Sequence, residues 1–260
     1  MTDHSKDRKA PLFGAFLLCG LLALQAWAEV PATDRVVVAH VVDGDTVVLK
    51  DGGKVRLLGV NAPEKEFEQR PAQPYALEAL LLLRELTEGK LVKLVRGEVE
   101  KDRYGRVLGY LELMDGTDVQ AKLLQQGYGF AVAFPPDIDR LEQYQHAESI
   151  ARQQQLGVWS SDAWKPREVD RNIDLEGGFA LFRGHINAVT TSKKNLLFSM
   201  ASGLTLSVRH QAWERFWNIK PASLQGKVVV ARGWVSAGSK KYKGQYFLRI
   251  RHPFMMQVES

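Results

Sequence analysis

The segment VVDGDTVVLKDGGKVRLLGVNAPE, residues 41–64, decides the fold of this chain. Its runs of β-branched residues are interrupted by Asp-Gly-Asp and Asp-Gly-Gly, and this punctuation predicts a strand meander with tight turns. The segment also brings together Asp43, Asp45, Arg56 and Glu64. Hairpin turns favour aspartate, but they require neither the arginine nor the glutamate. The segment therefore indicates chemistry as well as a fold.

Helix and strand patterns follow this meander in a definite order. Residues 74–90, with Pro74 near the start and Gly89 at the end, predict a helix. Residues 91–113 return to strands around a loop at 100–105, and a second helix is expected from an Asp118 cap to Gly127. A third, polar helix is expected over 139–155, and its predicted inward face is Leu141, Tyr144, Ala147, Ile150 and Ala151. Beyond about residue 176 the pattern predicts short strands only.

The first 28 residues have the three parts of a secretory signal: a basic start, an apolar core and a small-residue cleavage site ending at Ala28. The apolar run is shorter than the roughly 20 residues of a spanning helix. We therefore expect export to the periplasm or the medium. Cys19, the only cysteine, lies in this segment, so the mature chain has no disulfide, cysteine-ligated zinc or thiol nucleophile.

Charge is distributed unevenly along the remainder of the chain. Residues 171–260 hold 14 Lys and Arg against 4 Asp and Glu, whereas residues 29–170 hold 18 against 24. This asymmetry predicts two domains, the second of which attracts polyanions or an anionic membrane surface. We place the first domain at 29–165, a charged linker at 166–176, and the basic β-rich module at 177–260. An uneven surface without function is the alternative.

The basic module interleaves cationic and aromatic residues near its end. Cations follow phosphates and exposed aromatic rings stack on bases, so the pattern predicts a surface for single-stranded nucleic acid. The alternative is that the rings belong to a core and the charges are merely solvated. The expected substrate-binding residues here are Lys240, Lys241, Tyr242, Lys243 and Arg249.

The order Asp45, Arg56 and Glu64, followed by Asp-Arg-Tyr-Gly-Arg at 102–106, resembles the staphylococcal nuclease family over about residues 35–160. The resemblance implies an α+β, mainly β fold: a five-stranded OB-type barrel with three helices. The pattern of the module after it is similar to a second, small OB-like barrel. By the same resemblance Arg56 and Arg106 would contact the scissile phosphate and Glu64 would be the general base. Arg103 and Tyr104 would lie near a nucleotide phosphate.

The chemistry of these residue types agrees with that assignment. Hydrolysis of a phosphodiester builds negative charge, which guanidinium groups stabilise with paired donors. The resemblance makes Asp45 a ligand of calcium, a hard cation that prefers oxygen ligands, with Asp43 as a weaker one. Each residue taken singly has an ordinary alternative, as a turn former or a surface charge. Together in the expected order, they favour the catalytic interpretation.

Two positions depart from the family pattern. Asn61 stands where the family usually has a metal-ligating aspartate, and Ala62 follows where a backbone carbonyl is used. Asparagine keeps an oxygen donor but removes one negative charge, so we expect a weaker calcium site. Tyr128, Phe130 and Phe134 are all candidates for the aromatic residue that stacks on a base.

Three functions remain open from the sequence. The leading hypothesis is an exported, monomeric nuclease that hydrolyses DNA and/or RNA with calcium and without a stable protein partner. The second is a nuclease-like barrel that binds nucleic acid without cleaving it. The third is an envelope scaffold whose basic module binds anionic lipid or another surface polyanion.

Overall fold

The structure is a computed structural model, and it describes residues 33–66, 68, 70–170, 173, 175, 178–238 and 244–259. The predicted signal segment, residues 1–28, lies outside the described residues. So do four of the predicted substrate-binding residues, Lys240, Lys241, Tyr242 and Lys243. Among the described residues, no helix combines the length and the apolar character that crossing a membrane requires.

Five strands close into a barrel: β1 (Thr33–Asp43), β2 (Thr46–Leu49), β3 (Lys54–Leu57), β5 (Leu91–Lys101) and β6 (Val107–Leu113). Their order around the barrel is β1-β2-β3-β6-β5, with β3 and β6 parallel. Strand alternation sends Val55 and Leu57 into the core, so Arg56 between them points to the other side. A short pair, β4 (Val60–Asn61) with β7 (Phe130–Ala131), lies outside the barrel.

Three helices accompany the barrel: α1 (Ala76–Thr87), α2 (Val119–Gln125) and α3 (Leu141–Gln153). Asp118 caps α2 as expected, because its side chain accepts a hydrogen bond from Ala121 N. The inward face of α3 agrees with the prediction except at two positions. Ile150 is only half-buried, and Glu148 is buried instead. The reason lies in the second sheet, which supplies a partner for the Glu148 carboxylate.

The remainder of the chain forms a curled, eight-stranded sheet. Its strands are β8 (Arg167–Glu168), β9 (Gly178–His185), β10 (Ala188–Thr191), β11 (Asn195–Ser199), β12 (Leu204–Arg209), β13 (Val228–Ala237), β14 (Tyr246–Ile250) and β15 (Met256–Val258). The order is β10-β11-β12-β14-β13-β9-β8, and β15 also pairs with β13. The predicted fold, a five-stranded barrel with three helices followed by a β module, is confirmed.

The prediction of strands only after residue 176 is wrong at one place, because α4 (His210–Phe216) follows β12. No side chain caps this seven-residue helix, so the sequence contains little local signal for it. Packing holds it instead: the Trp213 ring stacks on Phe198 at 5.4 Å and on Trp217 at 4.9 Å.

The barrel and the second sheet are packed against each other within one compact unit, residues 31–260. Phe130 of the barrel part contacts Phe179 of β9, with ring centroids 5.1 Å apart. The Arg232 guanidinium on β13 donates to both carboxylate oxygens of Glu148 on α3, at 2.7 and 2.9 Å. The domain boundaries proposed from the sequence stay a prediction, and β8 lies within the predicted linker.

Candidate active site

A pocket of about 480 Å³ opens where the first meander, the loop before β6 and the second sheet meet. Eight residues singled out in the sequence line it: Asp43, Asp45, Arg56, Asn61, Glu64, Arg103, Tyr104 and Arg106. Ala62 is buried beside the pocket without lining it, and Arg249 lines a neighbouring groove. The fold therefore brings the barrel residues of the predicted site into one cavity.

The Asp-Gly-Asp turn is held close to the loop that follows β4 and to α1. A Cβ atom on Gly44 would lie 2.5 Å from the Ala62 Cβ and 2.6 Å from the Ala79 Cβ, distances that packed side chains do not adopt. Only glycine allows this approach. The Asp43 carboxylate also accepts the Asp45 backbone N–H at 3.1 Å, which directs the Asp45 side chain inward.

The Asp45 carboxylate is buried, with 7% of the residue exposed. Its Oδ2 pairs with Arg56 Nη2 at 3.0 Å and accepts the Ala62 N–H at 2.9 Å. Burial raises the pKa of Asp45 to about 7; Arg56 opposes this shift, while the nearby Asp43 carboxylate adds to it. The Arg56 guanidinium therefore offsets only part of the cost of burying the negative charge of Asp45.

Backbone carbonyls fix the orientation of Arg56. Its Nη1 donates to Leu57 O at 2.7 Å and to Val60 O at 2.9 Å. Its Nη2 faces Asp45 and also donates to Asn61 Oδ1 at 3.3 Å. Within the described part of the chain, Nε has no hydrogen-bond partner. The Nη2 and Nε edge is thus the one that can bind an anion.

Asp102 holds Arg106 in place. The Nε of Arg106 donates to Asp102 Oδ2 at 2.8 Å, its Nη2 forms an ion pair with the same oxygen at 2.8 Å, and its backbone N–H donates to Oδ1. Burial raises the pKa of Asp102, but the hydrogen bonds from Arg106 and Tyr104 outweigh it and bring the pKa below its ordinary value. Arg103 and Tyr104 extend into solvent beside this pair, and Arg103 Nη2 donates to Tyr104 Oη at 2.6 Å.

Glu64 lies at the mouth of the pocket on a loop tied to Gln73. Its backbone N–H donates to the Gln73 side chain at 2.7 Å, and its carbonyl accepts the Gln73 N–H at 2.8 Å. Partial burial raises the pKa of Glu64, with Asp43 adding to the shift and Arg56 and Arg106 opposing it. The carboxylate makes no hydrogen bond to any described residue, so it is available to water.

The residues around Asp45 are suited to a hard divalent cation. In the described ranges, no three His, Cys, Asp or Glu side chains converge as a ready-made metal site. The Asp43 and Asp45 carboxylates and the Asn61 amide nonetheless supply oxygen donors of the kind that calcium prefers. The undercompensated charge on buried Asp45 supports this fit. The Ala62 carbonyl already accepts a long hydrogen bond from Asn61 Nδ2, at 3.4 Å.

The further residues that line the same pocket include Phe134, Asp137, Trp234 and Arg251. Of the three candidate aromatics, Phe134 is the one in the pocket, whereas Phe130 is fully buried and Tyr128 lies near Tyr75. The Arg251 guanidinium lies 5.1 Å from the Phe134 ring centroid. Trp234 and Arg251 come from the C-terminal part of the chain, and no motif near either residue in the sequence indicates that it lines this pocket.

The buried carboxylate predicts how the stability of the metal-free protein depends on pH. The pKa of Asp45, about 7 in the folded chain, exceeds the ordinary aspartate value of 3.8. The folded state therefore binds more protons between these values, and the free energy of unfolding falls as the pH rises through them. Between pH 5 and pH 8, the free energy of unfolding of the wild-type protein should fall by about 2 to 3 kcal/mol relative to that of Asp45→Asn.

Urea unfolding of both proteins in EDTA at the two pH values measures this difference. Subtracting the Asp45→Asn protein removes the contributions of the titrating groups that do not interact with Asp45. A difference that stays constant, or that grows with pH, would contradict the assignment of the shift to Asp45.

Comparison with known proteins adds independent findings. Residues 54–161 match the family described as Staphylococcal nuclease homologue. The chain is 33% identical over 128 residues to a thermonuclease of Staphylococcus hyicus, covering 48% of this chain and 75% of that protein. It is 34% identical over 125 residues to a thermonuclease of Staphylococcus intermedius, covering 47% and 74%. It is also 30% identical over 149 residues to an uncharacterized endonuclease of Escherichia coli, covering 54% and 86%.

Proposed function

This chain belongs to the staphylococcal nuclease homologue family, and we propose that it is an exported nuclease that hydrolyses phosphodiester bonds of DNA and/or RNA. One observation carries the proposal: Asp45, Arg56, Glu64 and Arg106 line a single pocket in which both arginines are held in place by protein contacts. Export is proposed from the signal-like composition of residues 1–28.

Hydrolysis can be assigned to these side chains as follows. Arg56 and Arg106 bind the phosphodiester and stabilise the additional negative charge of the transition state. Glu64 accepts a proton from the attacking water as the water oxygen bonds to phosphorus. The bond from phosphorus to the leaving oxygen breaks, and the leaving oxygen takes a proton from solvent water. The raised pKa of Glu64 brings it closer to neutral pH, where a general base is most effective. Asp45, with Asp43 and Asn61, would hold calcium, which when bound supplies positive charge to the phosphate oxygens.

Circular single-stranded DNA is the substrate that tests this function. The purified protein is incubated with it over a calcium titration, and linear product establishes internal cleavage because the substrate has no ends. Calcium-dependent linearisation supports the proposal. If no cleavage occurs at any calcium concentration, and the protein also leaves a single-stranded RNA intact under the same conditions, the nuclease function is refuted for this chain.

Calcium dependence should respond to the charge at position 61. Asn61→Asp adds a carboxylate next to Asp45, and calcium affinity rises with the number of charged ligands. We expect the calcium concentration for half-maximal cleavage to fall about tenfold or more, with a smaller change in the maximal rate. If the half-maximal calcium concentration is unchanged or higher, the side chain at position 61 does not bind the calcium ion.

A second candidate function is binding of nucleic acid without hydrolysis. Two observations favour it: Arg56 Nη2 is engaged by Asp45, and Asn61 lacks the charge of the family's usual aspartate. A phosphate would have to compete with Asp45 for the same donor. DNA binding without cleavage at saturating calcium would support this candidate over the nuclease.

A further inference from the structure

A second groove, of about 710 Å³, lies on the face of the C-terminal sheet that points away from its core. Strand alternation creates this polar face, because Leu206, Leu248 and Ile250 point inward while their neighbours point outward. Six hydroxyl side chains line the groove: Thr190, Ser192, Ser199, Thr205, Ser207 and Ser236. No carboxylate lines it among the described residues, so the surface is suited to an anionic ligand.

Arginines are concentrated at one end of this face. The register of the parallel strands β12 and β14 places Ser207 beside Arg249. Two residues further along the chain, Arg209 and Arg251 point to the same face. Together with Arg215 of α4, Arg209, Arg249 and Arg251 line a cavity of about 320 Å³ that also lacks described carboxylates. None of these four forms a salt bridge within the described ranges.

The electrostatic state of the cluster agrees with this geometry. Burial lowers the pKa of Arg251, and the neighbouring guanidinium groups of Arg249 and Arg209 lower it further. Three cations close enough to repel one another, without a compensating acid, favour binding of phosphate groups.

The groove is continuous with the candidate active site. Arg103, Phe134, Trp234 and Arg251 line both the 480 Å³ pocket and the 710 Å³ groove. Arg251 also lines the arginine cavity, so one side chain borders all three spaces. A chain of phosphates bound at the pocket can therefore pass directly onto the outer face of the sheet.

We propose that this face, with Arg209 and Arg249 at its basic end, is a track that binds a single-stranded polynucleotide as it leaves the active-site pocket. The proposal rests on the nuclease function, because only a nuclease would hold the strand in the pocket from which the track leads. Binding to the track itself can be measured without cleavage. Arginines bind the phosphates, hydroxyl groups bond to phosphates or base edges, and Trp234 offers a ring for stacking.

The face is long enough to bind several successive nucleotides. Five adjacent strands at about 4.8 Å spacing span ~19 Å, the length of about five or six stacked nucleotides at ~3.4 Å each. Aromatic rings on the groove surface can stack only on bases that are not already paired, as in other single-strand sites.

Anisotropy titration of labelled oligodeoxythymidylate tests the track. All proteins carry Glu64→Gln and are kept in EDTA, so strands stay intact and failure of hydrolysis is observed separately, by the circular-DNA assay. The test variant adds Arg209→Gln and Arg249→Gln, both exposed positions. The control adds Lys220→Gln and Lys227→Gln, which also remove two positive charges from exposed positions in the C-terminal part of the chain. Neither lysine lines any of the three cavities. Near-UV circular dichroism verifies that each variant is folded.

We expect the test variant to bind a 16-mer about 10- to 100-fold more weakly than its parent, and the control to change less than threefold. The slope of log affinity against log salt should become less negative by about 1.4, from about 0.7 for each lost phosphate contact. The preference for a 16-mer over a 4-mer should also fall, since a 4-mer spans only ~14 Å and cannot cover the whole face at once.

Three results would overturn the proposal. One is equal weakening by the test and control variants, which would indicate a general charge effect. Another is an unchanged preference for the 16-mer over the 4-mer in the test variant. The third is a 16-base-pair duplex that binds as tightly as the single strand.

Discussion

Replacing Glu64 with glutamine is expected to lower kcat for hydrolysis of single-stranded DNA by about 10²- to 10⁴-fold. Glutamine keeps the shape of the side chain and the backbone bonds to Gln73, but it cannot accept the proton of the attacking water. DNA affinity in EDTA should be kept or should increase, because a negative charge near the phosphate is removed. Initial rates with saturating calcium and substrate measure the first effect, and anisotropy measures the second.

Glu66 provides the matched control for this experiment. It is exposed on the same loop and does not line the pocket, so Glu66→Gln makes the same chemical change without touching the site. We expect its kcat to lie within twofold of the wild-type value. If Glu64→Gln retains more than a tenth of the wild-type kcat, the proton acceptor is another group.

The barrel and the proximity of the candidate site residues were predictable because their signals are local. Asp45, Arg56 and Glu64 all belong to one meander and the loop that follows it, so their spacing fixes their proximity once the register is set. In the observed register Thr46 pairs with Arg56, which places the arginine next to Asp45 across two strands. The Asp102 to Arg106 turn is likewise closed by contacts within five residues.

The contribution of the second sheet was not predictable, because its contacts join distant parts of the chain. Phe134 and Arg251 are more than 100 residues apart, and neither sequence neighbourhood indicates that both line the candidate active-site pocket. Periodicity assigned Ile150 to the buried face of α3, but it could not anticipate a buried acid at Glu148. A charged residue is stable there only because Arg232, 84 positions away, reaches it.

Replacing Arg232 with methionine is expected to lower the free energy of unfolding by about 3 to 5 kcal/mol. The side chains of Arg232 and Glu148 are 4% and 3% exposed, so removal of the cation leaves a buried carboxylate with poor compensation. Arg152 is the nearest remaining cation, at 3.7 Å, and its side chain is 40% exposed. Urea unfolding monitored by circular dichroism gives the measurement.

Two further variants separate the ion pair from its surroundings. Arg152→Met breaks the weaker, more exposed contact and should cost about 1 kcal/mol. The double variant Arg232→Met, Glu148→Leu replaces both buried charges with apolar groups and should recover most of the stability lost in the single variant. A double variant as unstable as Arg232→Met would show that packing, rather than the unpaired carboxylate, dominates the loss.

The same variant tests whether the barrel and the second sheet fold together. Arg232 lies on β13 and Glu148 on α3, so their pair joins the two parts of the chain, and Trp234 stands two residues along the same strand at the active-site pocket. If the parts are one cooperative unit, Arg232→Met shifts a single unfolding transition to lower urea, with coincident curves from circular dichroism and tryptophan fluorescence. Separate transitions, with the barrel unaffected, would mean that the sheet is an independent domain and that the pocket loses only the wall formed by Trp234 and Arg251 when it unfolds.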